Sequence, residues 1–145
     1  MNTSDAEVEG LQAALRAEHS AIWGYGVVGA SVSLEMRAGV RDIDAAHRSA
    51  RDELADLVRA RGADPDPGEA SYELPFPVAD LAGGLHLAAV LEAGVAQGYA
   101  FAVSRADTQP AKAFALAGLT DAALGQTYWQ QLSGTMPASP EFPGL

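Results

Sequence analysis

From Leu11 onward, Leu11, Leu15, Ile22, Tyr25, Gly29, Val32 and Met36 recur at alternating spacings of four and three, and a single charge, Glu18, falls on that stripe. This is the seam of a helix packed in a bundle. Ser4 followed by Glu7 has the form of a capping box, and Gly39 is a stop signal, so the first helix is expected over about residues 5–37. A second, over about 40–61, carries Val40, Ile43, His47, Ala50, Leu54 and Leu57 on its seam before Gly62 and Pro65. The third, over about 77–105 with Pro77 in its first turn, has Leu81, Leu85, Ala88, Glu92, Val95, Tyr99 and Ala102 in register. A fourth, over about 110–132, lines up Phe114, Ala117, Asp121, Leu124 and Tyr128. The remainder, 133–145, is proline-rich and reads as irregular, with Phe142 and Leu145 as apolar anchors.

Between the second and third helices, residues 62–76 hold proline and glycine without helical periodicity. Extended at about 3.3 Å per residue, such a stretch reaches roughly 50 Å, more than the roughly 30 Å length of a 20-residue helix. It therefore permits the second and third helices to run parallel across a crossover, in an all-α, up-down-down-up four-helix bundle forming a single domain over 1–145.

Composition narrows the functional classes. Nineteen acids against nine Lys and Arg give a formal net charge of −10, which repels nucleic acid. Seven of the nine basic residues precede Gly62. Cysteine is absent, so disulfides, thiol nucleophiles and thiolate metal sites are excluded, and only His and carboxylates remain as protein ligands. The start of the chain has no signal-like apolar core, and no apolar run reaches about 18 residues without a charge or glycine. A cytoplasmic protein, with neither membrane nor nucleic acid as partner, is the expectation.

The chemistry lies where charges interrupt the seams. Glu18, Asp44 with His47, Glu92 and Asp121 fall near the middle of the four expected helices, one cluster per helix. A charge on a bundle seam costs several kcal/mol unless it is paired or bound to metal, so the four positions are best explained together. The segments LQAALRAEHSAIWGYGVVGA, AAHRSARDEL, YELPFPV and LAAVLEAGVAQGYAF resemble ferritin-like four-helix proteins, most closely an alanine-rich actinobacterial family of unassigned function. In metal-binding members, two helices each give one Glu and two give Glu-x-x-His. The resemblance implies Glu18, Asp44, His47, Glu92 and Asp121 as candidate metal ligands. The second histidine is missing, because Leu124 stands three residues after Asp121.

Each candidate has a plainer reading. Glu18 and Glu92 are expected to pair with Arg48 or Arg51, and His47 with Asp44 or Glu18, as a metal-free buried polar cluster. His19 and His86 lie one step off their seams and read as partly exposed. Tyr25, Tyr99, Tyr128 and Trp129 read as core or interface aromatics rather than redox relays. Ser20, Ser31 and Ser33 lack a triad. Gly24, Gly26 and Gly29 spell GxGxxG, but a helical seam runs straight through them, so they read as small residues admitting a neighbouring helix. The expectation is a bundle with a degenerate or absent metal centre and a structural, oligomerising or ligand-binding role, without cofactor and as a homodimer. The alternative is an iron- or manganese-dependent, carboxylate-bridged oxidoreductase acting with oxygen or peroxide.

Overall fold

A computed structural model describes residues 2–134. Four helices make up the fold: α1 (Thr3–Ser31), α2 (Leu34–Ala60), α3 (Leu81–Arg105) and α4 (Gln109–Ser133). Glu18 meets His47 and Gly29 lies against Val40, so α1 and α2 are antiparallel. Gly10 approaches Ala102, and Gly84 approaches Ser31, so α1 and α3 are antiparallel as well. Glu92 lies beside Gly125 and Tyr99 beside Gly118, so α4 is reversed relative to α3. The bundle is thus up-down-down-up, with α2 and α3 parallel. The helices α1 and α3 pack on each other at its centre, while α2 rests on α1 and α4 on α3.

Local chemistry sets the boundaries, and several differ from the expected ones. The cap of α1 is Asn2, whose side chain accepts the Asp5 N–H at 2.8 Å, rather than the Ser4–Glu7 box. Glu7 is instead buried and turned inward. Its carboxylate accepts the N–H groups of Asp107 and Thr108, both at 2.6 Å, and the Thr108 hydroxyl at 2.9 Å, tying the α3–α4 turn to α1. Burial works against its charge, but these donors and Arg61 outweigh it and hold the carboxyl below its ordinary range.

The first helix stops at Ser31, not near residue 37, because Val32 and Ser33 adopt extended backbone and Val32 is buried in the core. Gly39 lies inside α2, exposed, and terminates nothing. Pro77 also lies outside its expected helix: α3 begins at Leu81, after Asp80 accepts the Gly83 N–H at 2.8 Å. Thr108 caps α4, and Gly134, at φ 75°, closes it in the left-handed conformation.

The crossover is tied along α1. Gln12 donates to the Asp64 carbonyl at 2.7 Å and accepts the Asp66 N–H at 2.9 Å. Arg16 pairs with the Asp66 carboxylate at 2.5 Å. Further on, Tyr72 packs against Trp23, and Phe76 stacks on the exposed His86. By length and composition α3 would suffice to cross a membrane; 44% of its most apolar window is buried in the bundle, as expected for an element packed on two sides.

The seams of α1, α2 and α3 follow the sequence pattern, apart from Leu81, which is exposed. That of α4 is rotated by one residue. Its inward face is Ala111, Ala115, Gly118, Ala122, Gly125 and Trp129, whereas Ala117, Asp121, Leu124 and Tyr128 face outward. The cause is bulk on α3: a Cβ at Gly118 would collide with the Tyr99 ring, and one at Gly125 would lie 2.9 Å from the Glu92 carboxyl carbon. Small residues on α4 are what let the large ones on α3 stand inside.

Candidate functional site

Three helices deliver the centre of the bundle. The α1 seam brings Glu18 inward at 2% exposure, α3 brings Glu92 at 3%, and α2 places His47 between them. His47 Nδ1 lies 2.5 Å from one Glu18 oxygen, and Nε2 lies 2.9 Å from a Glu92 oxygen. With two acceptors of this kind the ring donates from both nitrogens and is an imidazolium. Burial pulls its pKa down, but the hydrogen bonds and charges of the two glutamates prevail and push it up to about 10.

Tyrosines complete the acceptors reciprocally. Tyr25, seven residues after Glu18 on α1, donates to Glu92 at 2.5 Å; Tyr99, seven residues after Glu92 on α3, donates to Glu18 at 2.7 Å. Trp129 Nε1 donates to the Tyr25 hydroxyl at 2.9 Å, and the Tyr25 ring stacks on His47 at 5.3 Å. Burial and the adjacent carboxylates raise both tyrosine pKa values far above the ordinary phenol, so both remain neutral donors. The result is one hydrogen-bonded chain, Trp129–Tyr25–Glu92–His47–Glu18–Tyr99, with two carboxylates against one imidazolium. Sequence reasoning took these aromatics as packing only. The equal spacing of seven from acid to tyrosine in two antiparallel helices was the available signal.

The other candidates lie elsewhere. Asp44 is half-buried and pairs with Arg48 at 2.9 Å, one turn along its own helix. Arg51 pairs with Asp52 at 2.9 Å. Neither arginine reaches Glu18 or Glu92, contrary to expectation, because both lie on the flank of α2 that faces His19 and the crossover, while His47 already fills the interior. Asp121 is exposed; the α4 positions facing the glutamates are Ala122 and Gly125. Of the three GxGxxG glycines only Gly24 is tightly packed, against Leu91. His19 is clipped to the Asp66 carbonyl at 3.0 Å.

A cleft of about 490 Å³ opens between α2 and α4 and reaches this centre. Ile43, Ala46 and Ala50 wall it on one side and Phe114 and Ala117 on the other. His47, Glu18, Glu92 and Tyr99 lie along its floor, and two exposed acids, Glu53 and Asp121, stand on its rim. Among the described residues, no lysine or arginine lines it.

Fold and site together define a ferritin-like four-helix bundle with a buried carboxylate–imidazole centre. The chain belongs to the family described as domain of unknown function DUF4439, which it matches over residues 10–145. It is similar to the crystal structure of a conserved hypothetical protein from Mycobacterium tuberculosis, with 32% identity and a TM-score of 0.85, over 88% of this chain and 97% of that one. A second similar structure is that of ferritin-like, diiron-carboxylate proteins from Bacillus anthracis, with 18% identity and a TM-score of 0.75, over 92% of this chain and 99% of that one. The latter likeness speaks for the fold alone. No protein of curated function matches.

Proposed function

We propose that this chain is a metal-free ferritin-like binding module, in which the His47 imidazolium stands where a carboxylate-bridged bundle would hold cations, and a small ligand enters the cleft between α2 and α4. The observation that carries this reading is that both nitrogens of His47 lie on carboxylates, at 2.5 and 2.9 Å. A metal would need a nitrogen lone pair that this arrangement does not offer.

The remaining donors fit a two-metal centre poorly. Asp44 is turned to Arg48, and the fourth helix presents Ala122 and Gly125, three residues apart, where a Glu-x-x-His pair would be required. Gly125 has no room for a ligating side chain, since even a Cβ would lie 2.9 Å from Glu92. Among the described residues, no three His, Asp or Glu side chains form a set that would hold a metal ion. A single imidazolium between two buried glutamates, with tyrosines donating to both, satisfies the centre without one.

The test is elemental analysis of untagged protein expressed with iron and manganese supplied and purified without chelator. The expected result is a substoichiometric metal content, unchanged in His47→Ala. Near-stoichiometric iron or manganese that disappears in His47→Ala overturns the reading in favour of a carboxylate-bridged oxidoreductase.

A further inference from the structure

We propose that the α2–α4 cleft takes a small organic cation, a protonated amine on an apolar body. This deepens the binding-module reading and rests on it. The cleft's volume, about 490 Å³, falls within the roughly 300–1,000 Å³ usual for small-molecule sites. Its walls, formed chiefly by Ile43, Ala46 and Ala50 against Phe114 and Ala117, offer apolar surface and one aromatic ring, with the Ser49 hydroxyl as their one side-chain donor. An apolar body is what such walls accept.

The charge of the ligand follows from what surrounds the cleft. On α2, Asp44, Asp52 and Asp56 each pair with an arginine of the same helix. Glu53 and Asp121, facing the cleft from opposite helices, have no such cation among the described residues. On the floor, two carboxylates face one imidazolium whose nitrogens are already occupied. Four carboxylates therefore act on the cleft against one positive charge. Their reach is visible at Tyr99, where Glu18, Asp121 and Glu53 add to burial in opposing ionisation of the hydroxyl. A carboxylate or phosphate ligand would meet this field with a single neutral hydroxyl, that of Ser49, and no cation to receive it. A bare metal ion would meet only the rim acids unengaged, because the floor glutamates are already taken by His47, Tyr25 and Tyr99. An ammonium group at the rim, with its hydrocarbon laid against Phe114, satisfies both halves of the site.

The test uses three probes of one shape and different charge: phenylbutylamine, phenylbutanol and phenylbutyrate, titrated calorimetrically into the full chain at neutral pH and low salt. The amine is expected to bind about tenfold tighter than the alcohol, the gain from one or two partly screened carboxylates, with phenylbutyrate weakest. Glu53→Gln combined with Asp121→Asn, both at exposed positions, should erase the preference for the amine and keep alcohol binding. Ala117→Trp, which fills the cleft from its wall, should abolish all three. If the alcohol binds but the amine gains nothing, or the preference survives the double variant, the amine assignment falls and the binding module stands. If none of the probes binds the wild-type chain, both fall.

Discussion

The ring of His47 is held on both sides by glutamates that have no cation besides it, so its charge and the fold are coupled. In the folded chain its pKa is pushed up to about 10, against an ordinary value of 6.5. A raised pKa means that this contribution to stability is fully present below about pH 6.5 and is lost as pH climbs through about 10. Chemical denaturation between pH 6 and pH 10.5 should therefore show a decline that His47→Gln lacks; parallel pH profiles for the two proteins would contradict it. Removing the imidazolium leaves two buried carboxylates uncompensated, so His47→Ala is expected to cost about 3–5 kcal/mol. The triple variant Glu18→Gln, His47→Ala, Glu92→Gln should recover much of that loss, because it removes the charges together. An equal loss in the single and triple variants would mean that packing, not charge, is what His47 supplies.

At the level of elements, the helix that the sequence misreports is α4. On α1, α2 and α3 the bulky apolar positions of the seams are buried or half-buried, Leu81 excepted, so the spacing that puts Glu18, His47 and Glu92 on those seams also puts them inside. On α4 the rule inverts. Tyr99 and Glu92 on α3 occupy the space between the helices, and only alanine and glycine fit opposite them; Leu124 and Tyr128 are left outside, at 64% and 50% exposure. A reading that assigns large apolar residues to the core therefore picks the wrong face and carries Asp121 with it. Asp44 and the arginines were misplaced for a related reason, since spacing fixes the turn of a residue but not which way a long side chain leaves it. The glycines test this account. Gly118→Ala and Gly125→Ala should each destabilise by about 1–3 kcal/mol through overpacking. Gly26→Ala and Gly39→Ala, where an added Cβ meets nothing within 4 Å, should stabilise by up to about 1 kcal/mol. Thermal melts of the four variants decide it, and a uniform sign across them would be the contrary result.

For the whole molecule, the order of packing matters more than the number of helices. The central pair, α1 and α3, is buried on two sides, whereas α2 rests on α1 and α4 on α3, and the cleft separates these outer helices. The tied crossover and the Glu7 clasp on the α3–α4 turn hold the connections in place; Glu7 also meets Arg61 at the C-cap of α2, 3.3 Å away, so one carboxylate joins the ends of α2 and α4 while the cleft parts the rest of them. Such an arrangement unfolds in parts. Amide protons of α1 and α3 should exchange with solvent only through global opening, while those of α2 and α4 should escape earlier, each through its own subglobal excursion. Native-state hydrogen exchange under rising denaturant would show two protection plateaus instead of one. Detaching α2 parts the Glu18–His47 contact but returns both charges to water, which offsets the lost pairing, and the departure of α4 breaks the Trp129–Tyr25 link, so the extent of packing decides between them. The earliest leaf to open should therefore be α2, which packs less extensively on α1 than α4 does on α3, and its excursions make the cleft a seam along which the protein breathes.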